Sequence, residues 1–151
     1  MCGILGGWTR RPIDPTSWDR ALERIAHRGP DDEGRFSEGT VFLGMRRLAV
    51  IDLTGGQQPL FNEQRTCAVV MNGEIYNYRE LSVALRKAGH QLQTASDTEV
   101  AVHLYEDHGE KLCCALNGMF ALAIWDARSD SLLLARDRAG EKPLFYAERS
   151  G

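Results

Sequence analysis

Four cysteines in 151 residues, Cys2, Cys67, Cys113 and Cys114, are too few for a disulfide framework, and none stands in the paired spacing of a cysteine zinc site. That usage fits a reducing compartment, and a cytoplasmic protein is expected. Neither sign of charge dominates. Lys and Arg number 18 against 21 Asp and Glu, and the net charge of −3 offers no grip on nucleic acid or an anionic membrane. No apolar run is long enough to span a bilayer, and the first residues lack the basic start and apolar core of a signal peptide. Repeats, low-complexity stretches and linkers are also missing. So are a phosphate-binding loop, a GxGxxG turn and a Ser-His-Asp context. His27, His90, His103 and His108 are scattered, with no pair at ligand spacing beside a carboxylate, so no metal is expected.

What remains is a chain of single-domain size that can bury its own core. It opens MCGILGGW. Once Met1 is removed, Cys2 carries a thiol and a free α-amine on one residue, a nucleophile beside a base. The plainer alternative is a small buried residue heading a strand. The opening alone leaves both open.

Along the chain, GILGGWT reads as a strand and PTSWDRALERIAHRG as a helix, with Trp18, Leu22, Ile25 and Ala26 at helical spacing. TVFLGMRRLAVIDL reads as strand, TGGQQPLFNEQ as a turn-rich loop and TCAVVMNG as a buried strand ending at Asn72-Gly73. NYRELSVALRKAG and TEVAVHLYEDHG are helices closed by glycine, the second capped by Ser96 or Asp97. Cys113 and Cys114 fall in or just after a further helix. MFALAIWDARSDSLLLARDR forms a hairpin turning at 127–130, and PLFYA is one more strand. Strands and helices do not alternate strictly. The expected class is α+β, a mainly antiparallel sheet structure covered by helices.

Several polar groups stand at the edges of apolar elements: Arg28, Arg47, the run from Asn72 to Asn77, and Asp97. Arginine offers a planar fork to a carboxylate, whereas Glu74 or Asp97 suits an ammonium. Asn72-Gly73 offers a side-chain amide and a backbone N–H, the donors an oxyanion needs. Together they would hold a free amino acid by both ends. Singly, each has a plainer reading: a turn for Asn72-Gly73, a helix cap for Ser96-Asp97, a surface ion pair for Arg47.

The segments MCGILGG, HRGPDDEG, RRLAVIDL, GGQQPLFNE, NGEIYNYREL, SDTEV, LNGMFALAIWD and ARDRAGEKPLFY, in this order, resemble the glutaminase domain of glutamine-hydrolysing asparagine synthetases. These are class II glutamine amidotransferases with an N-terminal nucleophile, and the resemblance covers residues 2–151. It implies a four-layer αββα sandwich of two mainly antiparallel sheets. It implies Cys2 as nucleophile with its own amine as base, and Asn72 and Gly73 as oxyanion donors. Arg47 would take the substrate α-carboxylate and Glu74 and Asp97 its ammonium, with the backbone of Leu48, Val50 and Ile51 lining the pocket. Arg28 is expected to be structural or gating. Met45 stands where many relatives have histidine.

The implied reaction is hydrolysis of L-glutamine, with ammonia passed to a synthetase domain or subunit. No cofactor is expected on this chain; ATP and Mg belong to the synthetase domain, whose SGGxDS-type segment does not occur here. The domain is expected to lack its last strands, and the uncovered sheet edge to favour a homodimer. Two other readings stand beside this one: a glutamine-binding regulatory or inactive module, and the glutaminase part of a sister amidotransferase with another acceptor.

Overall fold

A computed structural model describes residues 2–12, 14–49, 52 and 55–148. Strand β1 (Gly3–Trp8) is followed by helix α1 (Pro15–Arg24) and the strands β2 (Asp32–Glu38) and β3 (Val41–Arg47). Next come the short β4 (Leu60–Phe61), β5 (Cys67–Ile75) and helices α2 (Tyr78–Ala88), α3 (Glu99–His108) and α4 (Leu112–Ala115). The hairpin β6 (Gly118–Asp126) and β7 (Ser131–Arg136) closes the order. All pairings are antiparallel, in one sheet ordered β1-β3-β2 and another ordered β4-β5-β6-β7.

Period-two alternation builds the layers. Val41, Leu43 and Met45 of β3 face Ala68, Val70, Ala123 and Trp125 of the second sheet and form a core between the sheets. The alternate β3 residues turn outward, where Phe42 stacks on Trp18 of α1 at 5.0 Å between ring centroids. On the far side of the second sheet, Cys67, Val69, Met71 and Ile124 pack against Leu85, Val100, Leu104 and Leu112 of the other helices. Helix, sheet, sheet and helices thus lie in four layers, as the resemblance implied. No helix among the described residues is long and apolar enough to cross a membrane.

The helices start and stop for local reasons. Asp14 caps α1 by accepting the Thr16 N–H at 3.1 Å and the Ser17 hydroxyl at 2.8 Å, with Pro15 in the first turn. Gly89 closes α2 at φ 109°, a conformation that favours glycine. Arg47 belongs to β3, and the strand expected to run on from it stops there. Helix α1 ends at Arg24, and residues 26–28 form a separate 3₁₀ turn.

The DEGRFSE run, which has no apolar period, is β2, paired along its length with β3. Two further expectations are corrected. Asn72-Gly73 is not a strand end, since β5 continues to Ile75 in register with β6. PLFYA is not a strand. The Asp137 carboxylate accepts the backbone N–H groups of Phe120, Glu141 and Lys142, and Gly140 turns at φ 69°. The chain thereby leaves the sheet, and Phe145 is 90% exposed.

Gly34 of β2 lies under the Gln58 carbonyl, where a Cβ would come within 1.6 Å of the oxygen. Gly34→Ala is therefore expected to lower stability by about 1–3 kcal/mol. A lower urea midpoint at unchanged slope is the expected reading; an unchanged midpoint would contradict this packing.

Candidate active site

The ends of β1, β3 and β5 meet at a cleft between the sheets that opens to solvent. Cys2 stands just ahead of β1, and its Sγ lies 3.4 Å from the Leu48 N–H, which donates to it. Its carbonyl accepts from Arg28 Nη2 at 3.4 Å. Arg28 therefore fixes the backbone that carries the thiol and does not itself line the cleft, in keeping with a structural role.

Arg46 and Arg47 diverge because successive strand residues face opposite ways. Arg46 turns outward to pair with Glu23 and, at 2.5 Å, with Glu33. Arg47 turns into the cleft and is only 7% exposed. Its Nη2 donates to the Asp52 carbonyl at 2.6 Å. Asp52 in turn accepts the Gly55 and Ala95 N–H groups through its carboxylate, both at 2.9 Å, tying this loop to the segment before α3. The surface-ion-pair reading thus fits Arg46 rather than Arg47.

Strand β5 supplies the other wall. Asn72 and Glu74 continue the face of Ala68 and Val70, toward the first sheet. The backbone groups alternate as well. Phe120 exchanges its N–H and C=O with the Asp137 segment, so its β5 partner, Gly73, points its own N–H away from β6. On that same edge the Met71 N–H donates to Gln58 Oε1 at 2.7 Å, and the Ile75 N–H donates to Asp97 Oδ2 at 2.8 Å. The Gly73 N–H stands between these two clamped neighbours, where the cleft opens. A side chain at Gly73 would meet the Met119 carbonyl at 2.2 Å, so the close approach of β6 demands glycine.

Asp97 is 5% exposed and spends one carboxylate oxygen on Ile75. Burial pushes its pKa above the ordinary aspartate value, and the nearby Glu74 charge adds to the rise. It does not cap α3. The Ser96 hydroxyl accepts the Thr98 N–H at 3.2 Å, one residue ahead of the helix, and Thr98 occupies the cap position without its side chain accepting from the helix N–H groups. The other cysteines are poor nucleophiles or distant from the cleft. Burial, with the Asp126 charge, pushes the Cys67 thiol up to about 11, and burial also raises Cys113.

Of the residues expected to form a site, Cys2, Arg47, Leu48, Asn72, Gly73, Glu74 and Asp97 all line this one cleft. Val50 and Ile51 lie outside the described residues. Sequence reasoning did not single out Gln58, Thr98 or Lys142, which also line it. Gln58 bridges Met71 and, through Nε2, the Thr98 hydroxyl at 3.0 Å; its only signal was the GGQQPLFNE segment. Met45 is buried between the sheets beside Ile4 and Cys2. The histidines stay out of the cleft, but His90 and His103 are not scattered. Chain folding brings them together with carboxylates on the helical side of the second sheet.

Known proteins share this arrangement of sequence and fold. Residues 1–151 match the family model described as "Glutamine amidotransferase domain". The glutamine-hydrolysing asparagine synthetase 2 of Bacillus subtilis (strain 168) is 48% identical over 126 residues, 83% of this chain and 17% of that protein. The glutamine-hydrolysing asparagine synthetase of Zea mays is 43% identical over 148 residues, 96% of this chain and 25% of that protein. The chain thus spans about a quarter or less of these relatives' length. Among solved structures, the glutamine phosphoribosylpyrophosphate amidotransferase of B. subtilis, complexed with ADP and GMP, superimposes with a TM-score of 0.72 at 25% identity. That match covers 90% of this chain and 37% of the other.

Proposed function

The chain belongs to the glutamine amidotransferase domain family, and from that premise we propose that the cleft hydrolyses the side-chain amide of L-glutamine. The observation that carries the reading is convergence. A thiol, an amide with a neighbouring backbone N–H, a guanidinium and two carboxylates, far apart in sequence, line one small cavity. That set matches a free amino acid held at both ends with its side chain toward the thiol.

Arg47 binds the α-carboxylate, and Glu74 and Asp97 bind the ammonium. With Met1 removed, the Cys2 α-amine takes the thiol proton as Sγ attacks the amide carbon. The Asn72 amide and Gly73 N–H hold the oxyanion. The amine then delivers its proton to the leaving nitrogen, and ammonia departs from a γ-glutamyl thioester. Water, deprotonated by the same amine, attacks the thioester; glutamate leaves and the thiol is restored. The ammonia passes to a synthetase domain or subunit that amidates aspartate with ATP and Mg, in the cytoplasm. Identities of 43–48% to asparagine synthetases favour this acceptor over those of sister amidotransferases. The test is glutamate release from L-glutamine by protein whose intact mass shows loss of Met1. Turnover by that form and none by the Met1-bearing form is expected; equal turnover by both would overturn the role of the amine.

Asp97 separates binding from stability. Its pKa is raised on folding, so the stability it contributes is fully present below the unfolded value. That contribution is lost as pH rises through the folded one. Asn at this position still accepts from Ile75 but cannot ionise. Without glutamine, Asp97→Asn is expected to gain stability relative to wild type as pH rises from the acid range to neutrality. It also loses a charged hydrogen bond of about 1.5–3 kcal/mol to the ammonium, a KM rise of roughly 10- to 100-fold. A variant that is less stable at neutral pH and has an unchanged KM would contradict both roles.

A further inference from the structure

A second constellation lies on the other side of the β4-β5-β6-β7 sheet, away from the cleft. His103 and Glu106 share a face of α3, His90 follows α2, and Glu63 sits in the β4–β5 loop. His103 Nδ1 lies 3.2 Å from His90 Nδ1, 3.4 Å from Glu106 Oε2 and 3.5 Å from Glu63 Oε2. His90 Nδ1 lies 3.7 Å from Glu63 Oε1 and 3.8 Å from Glu106 Oε2.

The ring nitrogens on the outer sides face carboxylates. His90 Nε2 is 3.1 Å from Asp107 Oδ2, and His103 Nε2 is 3.7 Å from Glu99 Oε1. Asp107 favours the proton of a neutral His90 ring on Nε2, while the buried His103 Nε2 has no hydrogen-bond partner among the described residues. The two Nδ1 atoms face each other and two carboxylate oxygens, and neutral rings protonated on Nε2 would leave both Nδ1 lone pairs to a shared cation. Glu106 is held by Asn62, which donates to its Oε1 at 2.8 Å, while its buried Oε2 has no hydrogen-bond partner among the described residues. Glu63 is anchored by the Gln91 N–H at 2.7 Å. Four lone-pair donors therefore converge on one point from three separate segments.

The spacing fits a metal better than a proton. Bonds of about 2.0–2.1 Å in a tetrahedral zinc centre put neighbouring ligand atoms roughly 3.3–3.4 Å apart; the histidine contacts here run from 3.2 to 3.8 Å, and one ligand atom from each of the four residues lies within 4.8 Å of the others, close enough to draw in around one ion. A carboxylate behind each ligating imidazole is the outer arrangement that fixes ring orientation and raises ligand basicity. The local field is negative. Glu63, Glu99 and Glu106 all bring carboxylate oxygens to within 3.7 Å of the His103 ring nitrogens. We propose that Glu63, His90, His103 and Glu106 bind one divalent cation of the zinc type through two imidazole nitrogens and two carboxylate oxygens. The ion ties the β4–β5 loop and the segment after α2 to α3, whose N-terminal end presents Asp97 and Thr98 to the cleft. It takes no part in the thiol chemistry.

The test is titration of the chelator-treated full chain with Co²⁺, then Zn²⁺. One Co²⁺ per chain is expected, with the visible absorption of a four-coordinate centre and no thiolate charge-transfer band. Zn²⁺ should displace it and raise Tm. His90→Gln and Glu63→Gln, both at the rim of the cluster, should each weaken Co²⁺ affinity at least about tenfold. Three results would overturn the proposal: no stoichiometric binding by wild type, binding seen only with a thiolate band, or wild-type affinity in either variant.

Discussion

Cys2→Ala is expected to abolish glutamate release from L-glutamine, a fall of at least about 10⁴-fold, while leaving the fold intact. The thiol's polar contacts are with the N–H and C=O of one residue, Leu48, at 3.4 and 3.5 Å, so alanine removes little packing. Glutamine binding should persist, because the groups proposed for its two ends lie on β3, β5 and the segment before α3. Cys2→Ser should retain binding and lose nearly all turnover, since a hydroxyl is the weaker nucleophile beside the same amine. The measurement is steady-state glutamate production, with Tm and glutamine affinity as controls. Activity in Cys2→Ala near wild type would remove the mechanism, because the pKa of Cys67 is pushed up to about 11 and the pKa of Cys113 is also raised.

Asn72→Ala is expected to lower kcat by roughly 100- to 1,000-fold, with KM changed little. The oxyanion exists only after attack, so a donor to it stabilises the transition state more than bound substrate. Asn72 is 6% exposed on a strand whose backbone is paired on the β6 side, which holds its amide at the cleft without the mobility of a loop. The Gly73 N–H beside it is fixed by the clamped Met71 and Ile75 N–H groups. Removing the side chain leaves that second donor, which is why residual activity is expected rather than none. A raised KM at unchanged kcat would assign Asn72 to ground-state binding instead.

The parts of the fold legible in the sequence are those where one period dominates. α2 shows its Tyr78, Leu81 and Leu85 stripe and its glycine stop, and the β6–β7 hairpin shows apolar strands about a polar turn. β2 was hidden because a strand with a charged outer face and Gly34 under a crossing carbonyl has no apolar pattern. PLFYA misled for the opposite reason. Its composition suits a strand, but Asp137 and Gly140 direct the chain away from the sheet.

For the site, residue types at element edges suggested each role singly, and only the fold brings Cys2, Arg47, Asn72 and Asp97 to one cleft. Gln58 was illegible because its value lies in bridging a strand edge to Thr98, a contact across 40 residues. The His90–His103 pair escaped for the same reason: its two rings come from different elements, and no local spacing reports their meeting.

In the proposed reaction, glutamine is opened by Cys2 through a covalent intermediate. The most direct test is rapid acid quenching of Met1-processed protein during turnover of L-glutamine, followed by peptide mass spectrometry. A γ-glutamyl group on the N-terminal Cys2 peptide, lost on treatment with hydroxylamine, is expected. A γ-glutamyl group on any other residue, or turnover in which Cys2 is never acylated, would contradict that reaction.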